Sequence, residues 1–141
     1  MSDHKIFVDS NVVLYLLSAD EKKANCAEAV IGKGATISVQ VLNEVANVSR
    51  RKLKMSWPET NELLNGLRAV CKIEPLTIET HTRGLALAER YGVSLYDAMI
   101  VAAALMAGCK TLFSEDMQDG LKIDRQLQIR NPFGSDDGFA W

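Results

Sequence analysis

The sequence predicts a three-layer α/β/α domain built on a mostly parallel sheet of four to five strands. Three observations carry this. Short β-rich runs, KIFV at Lys5–Val8, ATIS at Ala35–Ser38 and TLFS at Thr111–Ser114, alternate with segments of helical periodicity. Such strands pair in parallel, because each crossover helix returns the chain to the same edge and covers a face of the sheet. The most apolar stretch, the ten residues Ala98–Ala107, is too short to cross a bilayer and reads as a buried core helix.

Taken in order, Lys5–Val8 is a first strand, and Ser10 is expected to cap a helix over Asn11–Leu17. A second helix covers Glu21–Ile31 and is closed by Gly32, before strand two at Ala35–Ser38. A third helix runs from Val39 to Leu53, with Val41, Val45, Val48 and Lys52 along one stripe. Ser56-Trp57-Pro58-Glu59 is a capping box, so a fourth helix starts there and reaches Val70. Lys72–Glu74 is a short strand stopped by Pro75. Thr77–Tyr91 is a helix with Ile78, His81, Leu85 and Ala88 on one side, broken by Gly92. Ser94–Ala107 is the apolar helix, ended by Gly108. Thr111–Ser114 and Leu127–Arg130 supply the last strands. No repeat or linker interrupts this order, so residues 1–141 read as one domain. The tail Pro132–Trp141, acidic and Gly-containing, is expected to be partly disordered.

Composition narrows the function classes. A hydrophobic fraction of 48% with 24% charged residues is that of a soluble globular domain. The N-terminus has no apolar signal region, which points to the cytoplasm. Cys26, Cys71 and Cys109 lie far apart in no metal-binding spacing and are expected to be reduced, partly buried thiols. A net charge of −2 argues against grip on nucleic acid by basic surface alone. The one basic cluster, Arg50, Arg51, Lys52 and Lys54, is either a solvated helix end or a track for phosphate. Gly32-Lys33-Gly34 matches no phosphate loop, and Asn11 stands where an aspartyl-nucleophile phosphatase needs its second acid.

The acids carry the chemistry. In an open α/β sheet, ligands bind beyond the carboxyl ends of the strands. Asp9 follows strand one and Asp116 follows TLFS. Glu44 lies early in the helix that leaves strand two. Asp97 lies in the first turn of a helix that must run opposite to the TLFS strand. Each has a plain alternative: Asp9 as an Asx turn or a cap before the first helix, Glu44 as a surface glutamate, Asp97 as part of a Ser94–Asp97 capping box, and Asp116 as one of the acids of a polar loop with Glu115, Asp119 and Asp124. Together they converge on one rim, where carboxylates repel and raise each other's pKa unless a counter-charge joins them. An all-carboxylate set without histidine suits Mg²⁺ or Mn²⁺ better than zinc.

FVDSNVVLYLL (Phe7–Leu17), ISVQVLNEV (Ile37–Val45), LALAERYGVSLYDAMIVAAALMAGC (Leu85–Cys109) and TLFSEDMQDG (Thr111–Gly120) together resemble the PIN-domain family, and within it the VapC-type toxin ribonucleases. The resemblance implies a metal-dependent endoribonuclease with metal-binding acids at Asp9, Glu44, Asp97 and Asp116. It also implies small polar helpers at Ser10, Asn11 and Ser114, a homodimer, and a cognate antitoxin lying over the acidic groove. Ser10 stands where relatives usually carry Thr, and SEDMQDG offers Asp119 as a second candidate for the fourth acid. On this reading a metal-activated water cleaves RNA, with Arg50, Arg51 and Lys52 extending the phosphate track. A housekeeping RNA-processing nuclease and a non-catalytic acidic binding module are the alternatives. His81 is expected at the core edge, His4 has no partner in view, and Trp57, Phe133, Phe139 and Trp141 are expected to pack rather than stack on bases.

Overall fold

The structure is a computed structural model that describes residues 5–134, so His4, Phe139, Trp141 and most of the acidic tail lie outside the described residues. Six strands form one sheet, one more than the upper expectation: β1 (Ile6–Val8), β2 (Thr36–Ser38), β3 (Lys72–Glu74), β4 (Thr111–Phe113), β5 (Lys122–Ile123) and β6 (Leu127–Arg130). They lie in the order β3-β2-β1-β4-β6-β5, parallel throughout except for the β5–β6 pair. The additional strand is the two-residue β5. It hairpins onto β6 through Asp124 and Arg125, both at positive φ, as a tight primed turn requires. A strand of two residues leaves no periodicity to read.

Both sheet faces are covered, and the strands show why. Phe7 and Val8 of β1 and Leu112 and Phe113 of β4 are almost completely buried, so the two central strands are apolar on both faces, while β2 buries Thr36 and Ser38 beside Ile37 and β6 alternates about buried Leu127 and Ile129. The helices are α1 (Ser10–Leu14, continued by a 3₁₀ turn at Tyr15–Leu17), α2 (Glu21–Gly32), α3 (Val39–Arg51), α4 (Trp57–Val70), α5 (Ile78–Tyr91) and α6 (Leu95–Met106). The Ser56–Glu59 capping box starts α4 as expected, with Pro58 in its first turn. In α6 every residue from Ala98 to Ala104 is buried. Cys26, Cys71 and Cys109 are buried and none is in a disulfide. Among the described residues no helix is long and apolar enough to cross a membrane.

Local readings needed correction in several places. Asp9, not Ser10, caps α1, and Ser10 is its first residue. Gly32 is the last residue of α2, and it is Gly34 that takes the left-handed conformation after it. Helix α3 ends at Arg51, so its buried stripe is Val41, Val45 and Ser49, while Lys52 lies exposed beyond it.

The inward face of α5 is also not the expected one. Ile78 is 82% exposed, Leu85 is 47% exposed and His81 is exposed, whereas Thr80, Gly84 and Leu87 face inward. Small residues win because α5 lies against α6 at close range: a Cβ on Gly84 would come within 2.8 Å of the Met99 sulfur. The apolar stripe of Ile78 and Leu85 is left facing outward.

Candidate active site

The order of the sheet reverses between β1 and β4, and open α/β sheets place their ligand crevice at such a switch point. Asp9 and Ser114 stand there side by side. The Asp9 amide donates to the Phe113 carbonyl at 3.0 Å, extending the β1–β4 pairing to the rim. The Asp9 carboxylate accepts from the Ser10 amide at 2.7 Å and from the Ser114 hydroxyl at 2.9 Å, while the Asn11 amide approaches at 3.4 Å. One carboxylate therefore starts a helix and ties it to the end of β4.

Asp9 is 4% exposed. Burial pushes its carboxyl up to about 6 from an ordinary 3.8; the bonds from Ser114 and Ser10 oppose the rise, and the nearby charges of Glu44 and Asp97 add to it. Glu44 arrives from the other side. Helix α3 follows β2 without an intervening loop, with Ser38 as its cap accepting from the Val41 amide. That junction brings the second turn of α3 over Asp9. Glu44 accepts from the Ser10 hydroxyl at 2.7 Å and from Gln40 at 3.1 Å. The Ser10 oxygen lies 3.4 Å from Asp9, so this single hydroxyl links the two acids.

Asp97 sits in the first turn of α6, its amide donating to the Ser94 hydroxyl at 3.2 Å. Its carboxyl is also raised, first by burial and then by the charges of Glu44 and Asp116, against a side-chain hydrogen bond with the Ser94 hydroxyl that lowers it. Asp116 is exposed in the loop after β4. Charge interactions thus chain the four expected acids together: Asp9 feels Glu44 and Asp97, and Asp97 feels Glu44 and Asp116. Asp119 does not join them: its carboxylate accepts from the Asn131 amide at 2.9 Å and ties the far end of the loop to the chain after β6.

The model of the PIN domain matches residues 6–119 of this chain, spanning all four acids. The chain belongs to the PIN-domain family. Solved PIN structures share its fold. A toxin–antitoxin complex from Klebsiella pneumoniae aligns at a TM-score of 0.70 and 20% identity, covering 91% of this chain and 98% of the other. Mycobacterium tuberculosis VapC20, a toxin that cleaves the sarcin-ricin loop, aligns at 0.64 and 20%, covering 79% and 91%. VapBC2 of Rickettsia felis, bound to a DNA fragment of its promoter, aligns at 0.63 and 20%, covering 89% and 97%. No curated protein sequence matches the chain.

PIN nucleases generally use divalent metals, and the residues present bear on that in two ways. In kind they fit: the donors are carboxylate and hydroxyl oxygens, the preference of a hard cation, and among the described residues the charges acting on buried Asp9 are those of Glu44 and Asp97, both negative. In spacing they do not yet close. Among the described residues no three His, Cys, Asp or Glu side chains form a group that could hold a metal ion as they stand. Asp9 and Glu44 direct their oxygens at Ser10, Ser114 and Gln40 instead. Closing the set requires rotation of the partly exposed side chains Glu44 and Asp97 and of exposed Asp116, which staggered rotamers allow.

Of the expected helpers, Asn11 and Ser114 touch Asp9, and the Asn11 side-chain Oδ1 accepts from the Glu115 amide at 3.2 Å. In the basic cluster, Arg50 stacks 4.2 Å over the exposed Trp57 ring and donates to the Met55 carbonyl, so it serves the α3–α4 corner; Arg51 and Lys52 are exposed. Phe133 packs edge-on to Tyr15 with centroids 4.7 Å apart. Two partners escaped the sequence reading. Gln40 stands one turn before Glu44, a spacing that foretells contact. The Tyr15–Lys23–Glu115 cluster joins positions about 100 residues apart, which no local pattern reveals.

Proposed function

We propose that this chain is a Mg²⁺- or Mn²⁺-dependent endoribonuclease and the toxin of a type II toxin–antitoxin pair. It acts as a single cytoplasmic domain over residues 1–141, homodimerises, and is held silent by a cognate antitoxin covering the acidic rim. The observation that carries the reading is Asp9: a buried carboxylate at the sheet's switch point, its ionisation opposed by burial and by two neighbouring acids. A fold bears that cost where the charge has a partner to bind. The PIN fold, shared with solved toxin–antitoxin proteins, supports phosphodiester chemistry and the antitoxin.

Asp9, Glu44, Asp97 and Asp116 would hold the ion, which when bound supplies Lewis acidity toward a phosphate oxygen and a water. The remaining work falls to the chain. Ser10 aims Glu44 through its 2.7 Å bond and keeps it beside Asp9. Ser114 and the Ser10 amide hold the Asp9 carboxylate in one rotamer. Arg51 and Lys52, exposed at the end of α3, attract the phosphate backbone that the acids alone would repel. The acids' failure to group as they stand favours one alternative, a non-catalytic acidic module.

A cleavage assay separates the two. Purified chain is incubated with total RNA in Mn²⁺, Mg²⁺ or chelator, beside Asp9→Asn. The nuclease reading expects metal-dependent cuts lost in the variant; uncut RNA with both metals rejects it. For the toxin role, expression alone should arrest growth, and co-expression of the neighbouring small reading frame should relieve it.

A further inference from the structure

Beside the acidic rim lies a second charged cluster with no part in the reading above. Glu115 directly precedes Asp116, yet its side chain turns away from the four acids. Its carboxylate accepts from the Tyr15 hydroxyl at 2.6 Å and from the Lys23 ammonium at 3.0 Å. Lys23 also donates to the Tyr15 oxygen at 3.2 Å, and lies 4.6 Å over the Tyr15 ring and 5.3 Å over the Phe133 ring. The Glu115 amide is held by Asn11, whose other end approaches Asp9 and Ser114. At the far end of the same loop, Asp119 is fixed by the Asn131 amide. Asp116 is thus flanked by two anchored neighbours: Glu115, held by its side chain and amide, and buried Met117, whose amide donates to the Ser114 hydroxyl at 3.3 Å.

Resting on the nuclease reading, we propose that Tyr15 and Lys23 are positioning residues: by clamping Glu115 against α1 and α2 they fix the loop that presents Asp116 to the metal. The arrangement does a second thing. Glu115 is a fifth carboxylate adjacent in sequence to the site, and a free one would add repulsion or compete for the ion. An ordinary surface ion pair contributes little to stability. This one is bidentate across two donors, half-buried, and roofed by an aromatic pair. Its geometry suits a part that holds a loop still.

The test is direct Mn²⁺ binding to the full-length chain, followed by paramagnetic resonance of free Mn²⁺, with thermal melts and the Mn²⁺ dependence of RNA cleavage alongside. The variants are Lys23→Met, Lys23→Arg and Tyr15→Phe. The last removes one hydroxyl and keeps the ring that packs on Phe133, so it folds even if Lys23→Met does not. Lys23→Met and Tyr15→Phe are expected to weaken Mn²⁺ binding by about tenfold, the low end for residues that orient ligands. Lys23→Arg should restore it, and cleavage at saturating Mn²⁺ should approach wild type. Variants that melt earlier but bind Mn²⁺ as wild type does would show a merely structural clamp and overturn the proposal. Wild-type chain that binds no Mn²⁺ overturns the nuclease reading itself, and the two failures are told apart by the wild-type trace.

Discussion

Replacing Asp9 with asparagine should make the protein inactive and, at neutral pH, more stable. The size follows from the site. Folding lifts the Asp9 carboxyl from 3.8 to about 6, chiefly by burial. At 1.36 kcal/mol per pH unit, the ionised form is disfavoured by about 3 kcal/mol. Between pH 3.8 and 6 the folded chain holds more protons at this position than the unfolded chain, so stability falls as pH rises through that window. Above it the whole cost is present; below it both states are protonated and the cost disappears. Asparagine has nearly the same shape, can accept from the Ser10 amide and can donate to the Ser114 oxygen, yet carries no charge. In chelator at pH 8, Asp9→Asn is expected to gain up to about 3 kcal/mol, roughly 9 °C in melting temperature for a chain of this size. At pH 5 the gain should be about half that. Circular-dichroism melts at both pH values measure it. Excess Mn²⁺ should then raise the wild type and leave the variant unchanged. A variant that melts no higher than wild type at pH 8, or gains equally at both pH values, would refute the account of Asp9 as an ionised, desolvated acid.

Three further outcomes can be checked. Asp116→Asn is expected to lower RNA cleavage at least tenfold without changing the melt, whereas Asp119→Asn, which weakens only the bond to the Asn131 amide, should cost about 1 kcal/mol of stability and leave metal affinity intact; equal losses of activity would return Asp119 to the site. Ser10→Ala removes the 2.7 Å bond to Glu44 and should reduce cleavage about tenfold, with Ser10→Thr, which keeps the hydroxyl, close to wild type in the same assay. Gly84→Ala should destabilise by about 1 kcal/mol in urea titration, since the new Cβ meets only the movable end of Met99, while a larger side chain there should prise α5 from α6 and cost several times more.

Much of the architecture was legible because its signals are local. The centres of KIFV, ATIS and TLFS are buried on both faces, and so these runs lack the alternation of a half-exposed strand. The Ser56–Glu59 box and the glycines at positions 92 and 108 mark helix ends by chemistry that acts within one turn. The rim placement of the acids followed from topology alone, since Asp9 and Asp116 follow parallel neighbours and α3 leaves β2 directly. Apart from small shifts at helix ends, what failed was non-local. The inward face of α5 is chosen by the closeness of α6, which favours Gly84 and Thr80 over the larger Ile78 and Leu85. Asp119 and Asp116 look alike in sequence, and only Asn131, reached after a hairpin, separates them. Ser10 looked like the cap because serine commonly is; Asp9 takes that position one residue earlier.

The seam between Ser38 and Val39, where a strand becomes a helix with nothing between, has a consequence for how such a chain can vary. Each residue of an α-helix turns the next by about 100°. One residue gained or lost at that seam would swing Glu44 a quarter-turn or more around the helix axis, away from Ser10 and Asp9. The stretch from Ile37 to Glu44 therefore behaves as a ruler of fixed length. Insertions that spare activity are confined to places such as the corner between α3 and α4, where no acid's bearing depends on the count.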